Sequence, residues 1–309
     1  MSNVLDPVHV VAGVSGVEAA PAAFTDDGAA TTSPLRKVAA GARAVVRRPG
    51  LTLAIIWVAL IGVAALAPTL LTSHLPLQTE TQAKLLGPSR EHLFGTDQLG
   101  RDLFSRVVHG TSLSLQAALV AVGIGLAVGV TIGLVAGFAR GVVDDVLMRL
   151  VDVMLAIPSL MLSLSLITVL GFGTLNVGLA VGLAGIAACA RIMRSEVLRV
   201  RQSTFVEAAH SGGAHWGRVL TRHVLPNSIG PVLVLATMQF GIAILTVSSL
   251  SFLGYGTQPP TPEWGSLVAT GRDFLRDAWW LTTMPGLVVA ATVLAANRIS
   301  GALDERYHG

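Results

Sequence analysis

Long apolar stretches alternate along the chain with shorter segments that hold most of the charged residues. A bilayer hydrocarbon core about 30 Å thick needs about 20 helical residues at a rise of 1.5 Å each. Six stretches approach or exceed this length, the last being short, and they predict six transmembrane helices: Leu51–Leu71, Leu113–Phe138, Val146–Leu170, Leu175–Ile192, Ser228–Leu253 and Trp279–Ala296. The pattern therefore predicts an all-α, polytopic membrane protein.

Composition agrees with this prediction. The 309 residues are 52% hydrophobic and only 13% charged, whereas about a quarter of the residues of a soluble domain are charged. The single cysteine, Cys189, lies in an apolar stretch and excludes a disulfide framework or a cysteine-based metal site. The net charge of +3 does not indicate nucleic-acid binding, because the basic residues flank apolar spans.

The distribution of lysine and arginine predicts the orientation of the spans. With the N-terminus inside, fifteen of the 21 basic residues fall on the cytoplasmic side and six on the outer side. Since cytoplasmic loops carry the excess of positive charge, both termini are predicted to be cytoplasmic.

The spans divide the chain into four predicted regions. Residues 1–48 are expected to form a disordered cytoplasmic tail with a basic end, and 49–110 the first transmembrane helix with an extracytoplasmic segment. Residues 111–303 are expected to hold five transmembrane helices, and 304–309 a cytoplasmic C-terminus.

Small residues mark one face of the second span. Glycines recur there every four residues and predict close approach of a neighbouring helix, within this chain or in a second chain: Gly125, Gly129, Gly133 and Gly137. Pro158 and Pro285 interrupt the third and sixth spans, and each is expected to bend its helix.

Ionisable side chains are nearly absent between the ends of the spans. Proton-coupled carriers commonly place such groups at bilayer depth, so their scarcity argues against that class and, less strongly, against sodium coupling. It also disfavours an intramembrane hydrolase.

The chain has no G-x-x-x-x-G-K-[ST] loop to cradle nucleotide phosphates. Uphill transport would therefore draw its energy from another subunit.

The loop between the fourth and fifth spans predicts a short amphipathic helix. Thr204 and Glu207 have the spacing of a capping box, Gly213 is expected to stop the helix, and Leu225-Pro226 to start the next span. Two interpretations stay open on these grounds: a helix lying on lipid head groups, or a knob that fits a soluble cytoplasmic partner.

The residues of this loop resemble the EAA signature of bacterial ABC-importer permeases. The matching positions are Glu207, Ala208, Ala209, Gly213, Leu225 and Pro226. The family's usual Ile two residues before the Leu is His223 here, and the run Arg222-His223-x-Leu225-Pro226-Asn227 is similar to the peptide and nickel branch.

A second block is similar to the segment that precedes the second span in C-type dipeptide permeases. It runs from His92 to Asp102 and includes Gly95, Asp97, Gly100 and Arg101. Its residues are expected to face the binding protein or to serve an extracytoplasmic structural role. The alternative, that His92, Asp97 and Asp102 ligate a metal, is disfavoured by their spacing of five.

The resemblance implies the type I ABC-importer permease fold and a non-catalytic transport subunit in the bacterial inner membrane. It also implies a heteromeric assembly: a second homologous permease, two cassette ATPase domains that carry ATP and magnesium, and an extracytoplasmic substrate-binding protein. This chain would bind no cofactor, and its docking residues would be those of the loop from Thr204 to Pro226. Di- and oligopeptides are the implied substrates, with nickel chelates as the alternative.

Overall fold

A computed structural model describes residues 49–139, 141–204, 206, 212, 215–219, 222 and 225–308. Every named element in these ranges is helical. The helices are α1 (Pro49–Leu66), α2 (Leu103–Ala139), α3 (Gly141–Ala156), α4 (Ser159–Leu170), α5 (Thr174–Arg201), α6 (Trp216–Val219), α7 (Leu225–Phe252), α8 (Trp264–Gly271) and α9 (Trp280–His308), with 3-10 turns at Pro68–Leu70 and Arg272–Phe274.

Five of these helices, α1, α2, α5, α7 and α9, are long and apolar enough to cross a membrane. Together with the bent pair of α3 and α4 they confirm the predicted all-α, polytopic architecture. The helix α2 begins ten residues before the predicted span, and its 37 residues extend well beyond a bilayer core. The helix α9 continues to His308, so the separate C-terminal segment predicted for 304–309 is helical as far as 308.

The third span is bent at Pro158, as predicted. Its residues form α3 and α4, which meet at an angle of 94°. Pro158 stands at the break with φ −53° and ψ 130°, outside the helical region. Proline lacks the N–H that would continue the helical ladder, and it disfavours a helical conformation in the residue before it. By contrast, Pro231 and Pro285 lie inside the continuous helices α7 and α9.

The two ends of the helix bundle differ. At one end, α2 and α9 begin and residues 67–102 and 253–279 cover the bundle. We call this the motif end. At the other end, α2 and α5 end and α7 begins, and we call this the basic end. At the motif end a buried apolar cluster includes Leu103, Trp264 and Trp280. Nearer mid-bundle, the indole Nε1 of Trp57 on α1 donates to Thr292 Oγ1 on α9 at 3.0 Å.

The glycine face of α2 packs directly on α5 of the same chain. Gly125, Gly129, Gly133 and Gly137 are all buried. A Cβ added at Gly129 would lie 2.5 Å from Cys189 Cβ and 2.7 Å from the Ile186 carbonyl oxygen. The contact is reciprocal, since a Cβ at Gly178 of α5 would lie 2.6 Å from the Ala117 carbonyl oxygen. At Gly129, Gly133 and Gly137 the helices therefore lie too close for a side chain on α2, whereas a Cβ at Gly125 would stay at ordinary contact distance. We call this contact the seam.

This seam predicts a sharp difference between two glycines of the same helix. Gly129→Ala forces the new methyl into Cys189 and Ile186, and such overpacking costs about 1–3 kcal/mol. Gly123 is exposed, and a methyl group added there would have no neighbouring atom within 4 Å, so Gly123→Ala is accommodated. We expect Gly129→Ala alone to reduce membrane abundance and the thermal unfolding midpoint in detergent. Equal abundance and equal unfolding midpoints of the two variants would contradict the close contact at Gly129.

Candidate functional site

Two glycines shape the segment that leads into α2. Gly95 has φ +77° and Gly100 has φ +76°, a left-handed conformation that side chains disfavour. A Cβ at Gly95 would lie 2.6 Å from the Leu86 carbonyl oxygen and 2.7 Å from Trp280 Nε1. A Cβ at Gly100 would collide with the backbone of Glu80. Glycine at both positions of the motif is therefore a requirement of close packing.

Asp97 organises the turn between these glycines. Its Oδ1 accepts from the backbone N–H of Leu99 at 2.8 Å and of Arg101 at 3.0 Å. Its Oδ2 accepts from Arg101 Nε at 2.6 Å, and Arg106 Nε lies 3.8 Å away. Asp97, Arg101 and Arg106 are all buried, so the carboxylate offsets part of the positive charge of the two guanidinium groups within the fold.

Asp102 fixes the start of α2. Its Oδ2 accepts from the backbone N–H of Ser105 at 2.7 Å, the hydrogen bond of a helix N-cap, and its Oδ1 lies 3.0 Å from His92 Nδ1. Both side chains are buried. The carboxylates of Asp97 and Asp102 are thus engaged by arginines, a histidine and backbone donors. This geometry favours the structural interpretation of the motif over direct contact with a partner or a metal.

Glu263 is a buried acid that sequence reasoning missed. It is the N-cap of α8, and its carboxylate accepts from the backbone N–H of Gly265 and Ser266, both at 3.0 Å. Ser114 of α2 donates its hydroxyl to Oε1 at 3.3 Å and accepts from the backbone N–H of Trp264 at 3.1 Å. Burial raises the pKa of Glu263, although these hydrogen bonds oppose the shift. The acid joins α8 to α2.

The raised pKa predicts a pH dependence of stability. As pH rises above the ordinary glutamate pKa, the unfolded chain loses its proton before folded Glu263 does, so the free energy of unfolding falls until the folded pKa is passed. Glu263→Gln removes this decline, while the loss of one cap acceptor lowers stability equally at every pH. The measurement is the thermal midpoint in detergent from about pH 4 to about pH 8.

Glu91, an exposed glutamate at the motif end, provides the control. Glu91→Gln should keep the wild-type slope of stability against pH. A Glu263→Gln profile parallel to that of the wild type would contradict the role given to burial.

The predicted docking loop is described only in part. Thr204 is exposed, while Glu207, Ala208, Ala209 and Gly213 lie outside the described residues. Leu225 and Pro226 form the first turn of α7, where the sequence places the start of the fifth span. Val206 and Val219 of the loop are buried in one cluster with Val197 and Val200 of α5 and with Val232 of α7. The loop is thus anchored on the basic end of the bundle.

Ion pairs at the basic end were also missed by sequence reasoning. Arg194 of α5 donates from Nε and Nη2 to the two carboxylate oxygens of Asp144 on α3, each at 2.6 Å. Arg191 of α5 pairs with Asp152 of α3. Arg201, the last residue of α5, donates from Nη1 to the Phe138 carbonyl oxygen at the end of α2, at 2.6 Å. The signal available in the sequence was Asp152 inside the predicted third span and Asp144 just before its start.

A cavity of about 390 Å³ lies beside the bend at Pro158. Its walls come from α2, α5 and α7 and from the break between α3 and α4. Its polar lining groups are Ser159, Ser163, Gln239 and Thr246, and these described walls include no Asp, Glu, Lys, Arg or His. The surface can donate and accept hydrogen bonds without presenting a formal charge.

Comparisons with known proteins agree on one family. The model of the family described as "binding-protein-dependent transport system inner membrane component" matches residues 129–309. A dipeptide transport system permease of Alkalihalophilus pseudofirmus is 41% identical over 251 residues, 81% of this chain and 82% of the relative. A glutathione transport system permease of Shigella flexneri is 46% identical over 219 residues, 71% and 72% of the two chains.

A solved structure shows the same fold. One chain of a crystal structure of an amino acid ABC transporter with histidines superposes with a TM-score of 0.50 and 15% identity, covering 65% of this chain and 94% of the other. The expected ABC-importer permease fold is therefore confirmed. The chain belongs to the binding-protein-dependent transport system inner membrane component family, the multi-pass, non-catalytic permease subunits of ABC importers in the bacterial inner membrane.

Proposed function

We propose that this chain forms half of the translocation pathway of an ATP-driven importer of di- and oligopeptides. The observation that carries the proposal is the 41% identity to a dipeptide permease over 81% of the chain, together with a di/tripeptide permease of Pseudomonas aeruginosa at 39% over 72%. Peptides are favoured over nickel chelates because these relatives are named for peptides.

The cavity beside Pro158 supports this function. An importer of peptides accepts side chains of many kinds, and a wall with hydroxyl and amide groups but no formal charge disfavours none of them strongly. Gln239 and Thr246 on α7 offer hydrogen bonds to peptide groups. The opposite wall of the passage would come from a second homologous permease chain.

Energy would reach the passage through the loop between α5 and α7. In this proposal two cassette ATPase domains bind ATP and magnesium and dock on the residues of the EAA signature: Thr204, Glu207, Ala208, Ala209, Gly213, Leu225 and Pro226. The anchoring of Val206 and Val219 against α5 and α7 supports mechanical transmission, since a push on the loop acts on packed helices.

The orientation follows from charge. The basic end carries Arg191, Arg194, Arg199 and Arg201, so we place it in the cytoplasm with both termini. The motif end then faces the extracytoplasmic binding protein. Because Asp97, Arg101 and Asp102 are buried there, they would shape the docking surface rather than touch the partner.

The docking role predicts a specific loss in Glu207→Lys. The change removes the reciprocal bond of the capping box, worth about 1 kcal/mol, and places a positive charge near a helix N-terminus, at about 0.3–1 kcal/mol. The spans are untouched, so we expect normal membrane abundance. The ATPase subunits that co-purify, and ATP hydrolysis stimulated by peptide-loaded binding protein, should both fall.

Gly213→Val should act in the same way by blocking the helix stop, whereas Thr261→Ala, an exposed position at the motif end, should match the wild type. Wild-type co-purification and stimulation in both Glu207→Lys and Gly213→Val would refute docking and favour a helix lying on lipid.

A further inference from the structure

The helix α3 is attached to the bundle through few buried groups. Of residues 141–156, all described, only Asp144 and Val151 are buried. Val151 packs with Ala187 and Ala190 of α5. Asp144 receives both hydrogen bonds of the Arg194 guanidinium, also from α5. Both buried side chains of α3 therefore contact α5, and α2 adds the partly buried Ile132 to the Val151 cluster.

The Asp144–Arg194 pair has the geometry of a rigid joint. Its two parallel N–H···O bonds fix the planar guanidinium against the carboxylate in direction as well as distance. The Asp144 side chain is 10% exposed and that of Arg194 33%. The second pair, Asp152 with Arg191, joins the same helices, but its side chains are 62% and 56% exposed. Exposed ion pairs contribute little to stability.

This joint lies between the loop and the cavity. On one side, Val197 and Val200 of α5 pack against the loop residues Val206 and Val219. On the other side, α3 runs to the bend at Pro158, and its last residues line the cavity. A displacement of the basic end of α5 would therefore be transmitted through α3 to the cavity wall.

We propose that the Asp144–Arg194 ion pair makes α3 and the bend at Pro158 follow the basic end of α5 when the ATPases act on the loop. The inference rests on the proposed function, because it assigns the route by which docking alters the passage. Asp144 and Arg194 are positioning residues: neither lines the cavity, and each acts through the helix that carries it.

The test is the amount of dipeptide imported per ATP hydrolysed by the purified complex in proteoliposomes. Asp144→Asn and Arg194→Gln should keep ATPase co-purification and hydrolysis, while import per ATP falls about three- to tenfold. Arg194→Lys keeps the charge but loses the planar fork, and should give an intermediate ratio. The exchange Asp144→Arg with Arg194→Asp should recover part of the loss.

Asp152→Asn is the matched control, an aspartate of the same helix whose pair is exposed, and its import per ATP should stay near the wild-type value. A wild-type ratio of import to ATP hydrolysis in Asp144→Asn, or an equal loss in Asp152→Asn, would refute the coupling role of the Asp144–Arg194 pair. If Asp144→Asn does not assemble, Arg194→Lys decides: an unchanged ratio in that variant overturns the proposal. A wild-type complex without ATP-dependent import would instead contradict the proposed function.

Discussion

Close contact between the backbones of α2 and α5 is the constraint on which the rest of the structure depends. Glycines at four-residue intervals let the helices meet where a single methyl group at Gly129 would collide with Cys189 and Ile186. With no side chain of α2 between them at these glycines, the two helices form a fixed frame. The motif segment caps one end of α2, and the predicted docking loop begins at the other end of the bundle, where α5 ends.

Polar groups secure this frame differently at its two ends. At the motif end, Asp97, Asp102 and Glu263 are buried and satisfied by arginine, histidine, serine and backbone donors, which holds the connections to α2 and α8 in one conformation. At the basic end, the Asp144–Arg194 pair joins helices that otherwise share little buried surface. The first arrangement suits a rigid platform, and the second a part that moves.

The apolar spans and the glycine face could be predicted because each depends on local spacing along one helix. The bend at Pro158 could also be predicted, but its angle of 94° could not, since Pro231 and Pro285 lie in continuous helices and the residue type alone does not distinguish the cases. Asp144 and Arg194 are 50 residues apart in the chain, and Glu263 lies 149 residues from Ser114. Pairings of this range depend on tertiary packing, which no single-sequence pattern contains.

The central claim is that this chain is one of the two membrane subunits of a peptide importer driven by ATP. The most direct measurement reconstitutes it in proteoliposomes with its partner permease and ATPases, with ATP on the ATPase side and labelled dipeptide bound to its binding protein on the other. The account predicts accumulation that requires ATP hydrolysis and every subunit, with none from an ion gradient alone. Dipeptide uptake by this chain by itself, driven by a proton or sodium gradient without ATP, would contradict it.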